Sequence, residues 1–411
     1  MTAFQTKKPQ PLVFVRTFLQ YFLFNSMEIL GSMSIRQVLD DDLSIITMPA
    51  SQLLNRDNDE IEAVHDARFV MSQQMEYFRE KAAQPFLDVL RTLCQNRCRV
   101  RRTLYHVVQS WDALQVDADQ IDHLLQSETK EEPMYESGFR GESPIQRYSI
   151  PLSSWAYLYK LKQMELIIQT GFELEVYQAD ELAGMYWYLN YLAQFRMQHV
   201  ERIQMFALRT EKQTWTPNLD NSQSIAYKQI RRSLNFLRLE NSNATATWEL
   251  SDALCCLYIV LRRHSLVKSP PRPYSSDRLR YDVRMKPLAL IGLPALPTFE
   301  EFSEGVEQLD TQSEELLEYA AEKLSAAKQG FDFMGKMNAE ESFSVGSHDT
   351  WRNNMKRNAK ACIALGIALS TLQSIVRGEI DVKTSGVTVV VPKPDEAYHE
   401  WWIVPRIAIG K

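Results

Sequence analysis

Asp180-Glu-Leu-Ala-Gly-Met-Tyr-Trp-Tyr-Leu-Asn-Tyr-Leu192 sets Leu182, Met185, Leu189 and Leu192 three or four residues apart. That spacing gathers the four on one stripe of an α-helix and scatters them over both faces of a strand. Asp180 suits the start of such a helix, which is expected to run to about Thr210. Trp187 stands about 160° around the helix from both Met185 and Leu189. A Trp opposite the core stripe is exposed, covered by a second layer, or buried by a partner.

The same period extends both ways. Upstream, a helix is expected over 154–169, with Gly171 able to end it. Before it, 127–148 is polar and holds Pro133, Gly138, Gly141 and Pro144, which reads as a linker. Asp59 and Glu62 form a capping-box signature, and Ile61, Val64, Met71, Met75 and Phe78 follow as an apolar stripe. Further helices fit 86–114 and a shorter stretch to Leu125. The expected division is a helical region at 1–127, a linker at 128–149 and a helical scaffold at 150–411.

Downstream, helices are expected at 222–239 and 247–263. Residues 269–297 hold six prolines and cannot form one regular element, so an extended strap over the helices is expected. Thr298 with Glu301, and Thr311 with Glu314, read as capping boxes opening helices that end near Gln329. A last long helix covers 349–377. Its stretch 361–376 is nearly all apolar, which predicts burial on most sides. Val387–Val391 and Ile403–Ile409 are β-like, and Pro392 and Pro405 limit them to a short edge hairpin. No internal repeat of fixed period is evident. The fold class expected is mainly α: an elongated, superhelix-like multi-helix scaffold with a proline-rich strap and a carboxy-terminal β-hairpin.

Only 14 of 411 residues are Gly, in keeping with helices rather than sheets. The net charge of −6 excludes a global basic field for nucleic acid. Five cysteines, with Cys255 and Cys256 adjacent, fit a reducing compartment and a cytoplasmic location. The apolar run 11–24 is broken by Arg16 and Gln20 and is too short to span a bilayer, so no membrane partner is expected.

No site for chemistry emerges. The [RQ]-x-x-G-x-[GA] turn that cradles acetyl-CoA pyrophosphate is absent, and Gly366 lies inside an apolar helix with Ile363 at the basic position. P-loop, Rossmann, G-x-S-x-G and H-E-x-x-H patterns are missing too. Cys94 and Cys98 lack a second ligand pair, so no metal or other cofactor is expected. Arg97, Arg99, Arg101 and Arg102 form the densest basic cluster, read as a solvated helix face with phosphate contact as the rival. Arg278, Arg280 and Arg284 are expected to bind carboxylates or carbonyls of the helices that the strap crosses. Tyr177, Trp187 and Tyr191 belong to an aromatic cluster serving either core or interface.

Gly171-Phe-Glu-Leu-Glu-Val-Tyr177 followed by Met185-Tyr-Trp-Tyr-Leu189 resembles a signature of the Mak10 family, the large auxiliary subunits of NatC N-terminal acetyltransferases. Ser224-Ile-Ala-Tyr227, Arg280-Tyr-Asp-Val-Arg284 with Pro287, Asn96-Arg97-x-Arg99, and Tyr398-His-x-Trp401 are similar to further family segments. The resemblance implies a non-catalytic helical scaffold matching the carboxy-terminal portion of longer family members. It implies a catalytic GNAT-type acetyltransferase subunit and a small Sm-like subunit as partners. It also implies co-translational acetylation of Met-hydrophobic nascent chains at the ribosome. Tyr177, Trp187, Tyr191, Arg280, Tyr281 and Arg284 would then bind a partner or pack the strap, and the Arg97–Arg102 cluster would contact the ribosome. The alternative is a helical scaffold or adaptor of an unrelated cytoplasmic complex.

Overall fold

The computed structural model describes residues 152–173, 175–214, 225–267, 277–285, 288, 292, 294–337, 348–382, 384–394 and 396–410, with five helical positions between 112 and 119. Apart from those five positions, the helices expected at 59–125, the linker at 128–149, Cys94, Cys98 and the run at 11–24 lie outside the described residues.

Seven helices and one strand pair carry the described fold. They are α1 (Leu152–Glu173), α2 (Leu182–Thr214), α3 (Ile225–Arg263), α4 (Asp277–Met285), α5 (Phe299–Glu307), α6 (Ser313–Lys336) and α7 (His348–Val376). The strands are β1 (Thr388–Val390) and β2 (Arg406–Ala408), and a 3-10 turn, Ala179–Glu181, opens α2. The long helices stack as a serial antiparallel layer, α1–α2–α3–α6–α7. Paired contacts that run in opposite directions set this order. Arg196 of α2 meets Glu165 of α1 and Glu240 of α3; Lys323 of α6 meets Glu249 of α3; Arg377, just past α7, meets Glu314 of α6. Each long helix contributes leucines to one continuous core, from Leu158 of α1 to Leu372 of α7.

Several boundaries differ from expectation for local reasons. Gly171 does not end α1. The chain turns at Glu175, held in the left-handed region at φ 52°. The Glu175 amide bonds to the Phe172 carbonyl and the Val176 amide to that of Gly171, a helix stop made without glycine. Gly171 serves packing instead, since a Cβ there would stand 2.0 Å from the Tyr177 hydroxyl. The two helices expected at 222–239 and 247–263 are one 39-residue helix, α3. Thr245 and Ser251 return their hydroxyls to the carbonyls of Asn241 and Thr247, so this polar stretch stays helical. Thr298 and Glu301 form their capping box. In α6 the cap shifts by one residue, with the Gln312 amide donating to the Glu315 carboxylate, and the helix continues to Lys336.

The region read as an extended strap contains a two-turn helix, α4. No proline lies between Pro273 and Pro287, which leaves room for it. The apolar stretch of α7 is not covered on most sides: Ile363 is 54% exposed and Ile367 is 67% exposed.

β1 and β2 pair antiparallel, with Val389 opposite Ile407. The segment before β2 enters the core. Tyr186 of α2 donates its hydroxyl to the Trp401 carbonyl at 2.9 Å and accepts from the Ile403 amide at 2.8 Å. Tyr258 of α3 donates to the Ile403 carbonyl at 2.7 Å. From α7, Asn358 accepts from the Trp402 indole and Asn354 receives the His399 ring N–H. Three helices thereby meet on residues 399–404.

Candidate functional site

The six site residues expected within the carboxy-terminal scaffold converge where α4 and α5 lie over the start of α2. The turn Ala179–Glu181 presents two carboxylates, and α4 brings two guanidiniums one turn apart to meet them. Arg284 grips Glu181 with two parallel bonds, Nε to Oε1 at 2.9 Å and Nη2 to Oε2 at 2.8 Å. Its Nη2 also donates to the Val176 carbonyl, and its guanidinium lies over the Tyr177 ring. Arg280 donates to the buried Asp180 at 2.9 Å. A forked, partly desolvated pair of this kind fixes orientation as well as adding energy.

An aromatic layer continues the joint. Tyr281 donates its hydroxyl to the Pro297 carbonyl and touches the rings of Phe299 and Phe302. Burial, with nearby carboxylates assisting, pushes the Tyr281 phenol up to about 12. Trp187 stacks on Tyr191 and receives Phe302 edge-on at 5.4 Å. Tyr191 donates to the Ala295 carbonyl at 2.9 Å. The second layer over Trp187 is therefore α5, with α4 reaching it through Tyr281. Two glycines allow this approach reciprocally. A Cβ on Gly184 of α2 would stand 2.5 Å from Phe302, and one on Gly305 of α5 would stand 2.1 Å from the Trp187 indole nitrogen.

Between α2, α4 and α5 a cavity of about 70 Å³ remains, too small for a drug-sized ligand. Its contacts are structural: ion pairs, ring stacking and carbonyl capture, with no nucleophile paired to a base. Among the described residues no group of three or more His, Cys, Asp or Glu side chains could hold a metal. Arg97, Arg99, Arg101 and Arg102 lie outside the described residues.

Sequence reasoning missed a second polar cluster. Lys162 and Glu165 of α1, Arg196 of α2 and Glu240 of α3 form a buried chain of alternating charge. Arg196, 2% exposed, sits 2.7 Å from Glu165 and 3.3 Å from Glu240, while Lys162 reaches Glu240 at 2.8 Å. Burial raises the Glu165 carboxyl, and Arg196 opposes that shift. Its signal was present in Leu158-Tyr-Lys-Leu-Lys-Gln-Met-Glu-Leu166, where charges interrupt leucines without gathering into a polar face.

The chain matches the family described as NAA35-like, TPR repeats, over residues 1–401. It belongs to that family. The N-alpha-acetyltransferase 35, NatC auxiliary subunit homolog of Drosophila melanogaster is 24% identical over 257 residues, covering 59% of this chain and 32% of the fly protein. The Homo sapiens NatC auxiliary subunit is 22% identical over 301 residues, covering 72% and 38%. The chain thus spans about a third of the length of the curated relatives it matches. A chain in the crystal structure of the apo NatC complex shares the fold with a TM-score of 0.63 and 16% identity, over 96% of this chain and 54% of that one. A chain in the NatC complex bound to Arl3 peptide and CoA gives 0.61 and 17%, over 84% and 51%.

The family description names TPR repeats, where the sequence showed no fixed period. A TPR unit is a helical hairpin of about 34 residues. Here α2 alone has 33 residues and α3 has 39, so the hairpins are too long and too unequal to repeat at fixed spacing.

Proposed function

We propose that this chain acts as a non-catalytic auxiliary subunit of a NatC-type N-terminal acetyltransferase complex. It scaffolds a catalytic GNAT-type subunit and a small Sm-like subunit in the cytoplasm. The assembly acetylates nascent chains that begin with Met and a hydrophobic residue, at the ribosome. Membership of the NAA35-like family over residues 1–401 carries the proposal. The architecture is in keeping with it: a layer of long antiparallel helices offers broad surfaces, while the joint of Arg280 and Arg284 with Asp180 and Glu181 binds the chain to itself. The Arg97–Arg102 cluster is the proposed ribosome contact, and 1–127 and 150–411 are the proposed helical units on either side of a linker.

Tandem purification of the tagged chain, with mass spectrometry, tests this. A GNAT-type subunit and an Sm-like subunit should co-purify, and the assembly should acetylate a Met-Leu peptide. The chain alone should neither do so nor bind acetyl-CoA in a calorimeter. Stoichiometric acetyl-CoA binding by the isolated chain, or consistent recovery of unrelated partners, would refute it.

A further inference from the structure

The uncovered face of α7 and the hairpin beside it enclose a groove of about 300 Å³. Ile363, Ile367 and Thr371 form one wall, and Tyr398, Pro405 and Ile407 form the other. Ile363, Ile367 and Tyr398 are each more than half exposed, an unusual concentration of apolar surface beside a well-formed concavity. The same helix stripe continues toward the start of α7 with Lys360 and Lys356, both exposed, at four-residue spacing. Neither lysine makes an ion pair with another described residue. Across the groove Arg406 adds a third cation, with Glu396 the one carboxylate among the described lining residues.

We infer that this groove seats a helical segment of a partner subunit, one bearing apolar residues four apart and Asp or Glu within two turns of them. The inference rests on the auxiliary-subunit reading for the partner's origin and on the surface itself for the partner's chemistry. The ridge of Ile363, Ile367 and Thr371 at i, i+4, i+8 accepts the complementary ridge of another helix. From Lys356 to Ile367 the stripe is roughly 16 Å long, about three helical turns. The two lysines occupy one end of that length and the isoleucines the other, so an acidic-to-apolar segment fits in one direction. The concave, proline-walled shape suits side-chain knobs, whereas a bilayer requires a continuous convex apolar face. Tyr398 is the one aromatic among the described lining residues, which gives successive RNA bases no run of stacking rings.

The test places a photo-reactive benzoylphenylalanine at position 367 of the full chain, co-expressed with its GNAT-type and Sm-like companions, and maps the cross-linked peptide by mass spectrometry. The expected product joins position 367 to a companion's helical segment carrying Asp or Glu within two turns. The double variant Lys356→Glu/Lys360→Glu should reduce the yield by about tenfold without changing the melting temperature. Replacing the partner's acidic residues by Lys should restore it. Cross-links to residues 1–151 of the same chain, to a second copy or to lipid, or no cross-link, would overturn the inference. So would indifference to the charge reversal. Companions that co-purify without this cross-link would leave the auxiliary reading standing and remove only the groove. A cross-link to an acidic-apolar helix of some other protein, with the companions absent, would keep the groove and remove that reading.

Discussion

Replacing Arg196 by Met should cost this fold more at alkaline than at acidic pH. Arg196 is the cation that two buried carboxylates share, at 2.7 Å and 3.3 Å. At an effective dielectric of about 20, each attraction is roughly 5–6 kcal/mol before desolvation is subtracted. The four charges of the cluster sum to zero, and without Arg196 one buried negative charge is uncompensated. Breaking a buried pair in this way typically costs about 3–5 kcal/mol. Proton uptake sets a ceiling on that cost. Glu165 can escape by protonation, which for a carboxyl of ordinary pKa takes about 5 kcal/mol at about pH 8 and under 1 kcal/mol at about pH 5. The sign follows from the direction of its shift. A carboxyl raised in the fold holds its proton longer there than in the unfolded chain, so its contribution falls as pH rises from the ordinary value, 4.5, through the raised one. Removing Arg196 raises it further and widens the affected range. Urea unfolding followed by circular dichroism should therefore show a deficit of under about 1 kcal/mol at about pH 5, growing to roughly 3–5 kcal/mol at about pH 8. The double variant Arg196→Met/Glu165→Gln should lose the pH dependence. A deficit below about 1 kcal/mol at pH 8, or one equal at both pH values, would refute the reasoning.

Four further outcomes are expected. Gly305→Ala should destabilise by about 1–3 kcal/mol through its collision with the Trp187 indole. Trp187→Ala should cost roughly 2–3 kcal/mol, less than full burial would give, and the pair should be clearly less than additive in thermal melts. Arg284→Lys should lower stability by about 1–2 kcal/mol, because an ammonium cannot reproduce the fork on Glu181; an unchanged urea midpoint would remove the orienting role of that pair. His399 is buried and its pKa is depressed to about 3 by burial. The unfolded chain therefore binds a proton that the fold rejects. Stability should fall by up to about 2 kcal/mol between pH 6.5 and 5, and His399→Gln should flatten that slope, read from urea midpoints at both values.

Apolar spacing made the long helices legible. Met185 and Leu189 lie in the core as their period requires, and Trp187, for which the angle left exposure, a second layer or a partner open, lies against Phe302 of α5. What covered Trp187 was not legible, because α5 reaches it through two glycines that carry no periodic signal. The merging of two expected helices into α3 was hidden for a related reason. Asn, Ser and Thr read as breakers when their hydroxyls and amides compete with the backbone, and here they bond back along the helix. The convergence of Arg280 and Arg284 on Asp180 and Glu181 links positions about a hundred residues apart, beyond any local pattern. Burial of α7 was overestimated because hydropathy records what a helix can bury, whereas neighbours decide which side is covered. Ile363 and Ile367 are the residues where the two part.

Residues 399–404 also bear on the order in which the fold closes. Tyr186 waits for partners 215 and 217 residues further along the chain, and Tyr258 for one 145 residues along. During synthesis α2 and α3 emerge long before the peptide groups that satisfy their hydroxyls. Until then the seam between them holds two polar atoms facing an unfilled slot, which disfavours tight closure. Long-range contacts of this kind form slowly, since chain entropy is lost before the contacts compensate. The early helices should therefore stay loosely joined while the rest is made, with insertion of Trp401 and Trp402 as the expected final locking step. Deleting 399–404 should leave the helical content near native while increasing hydrogen exchange along α2 and α3, a signature of a layer assembled but not yet locked.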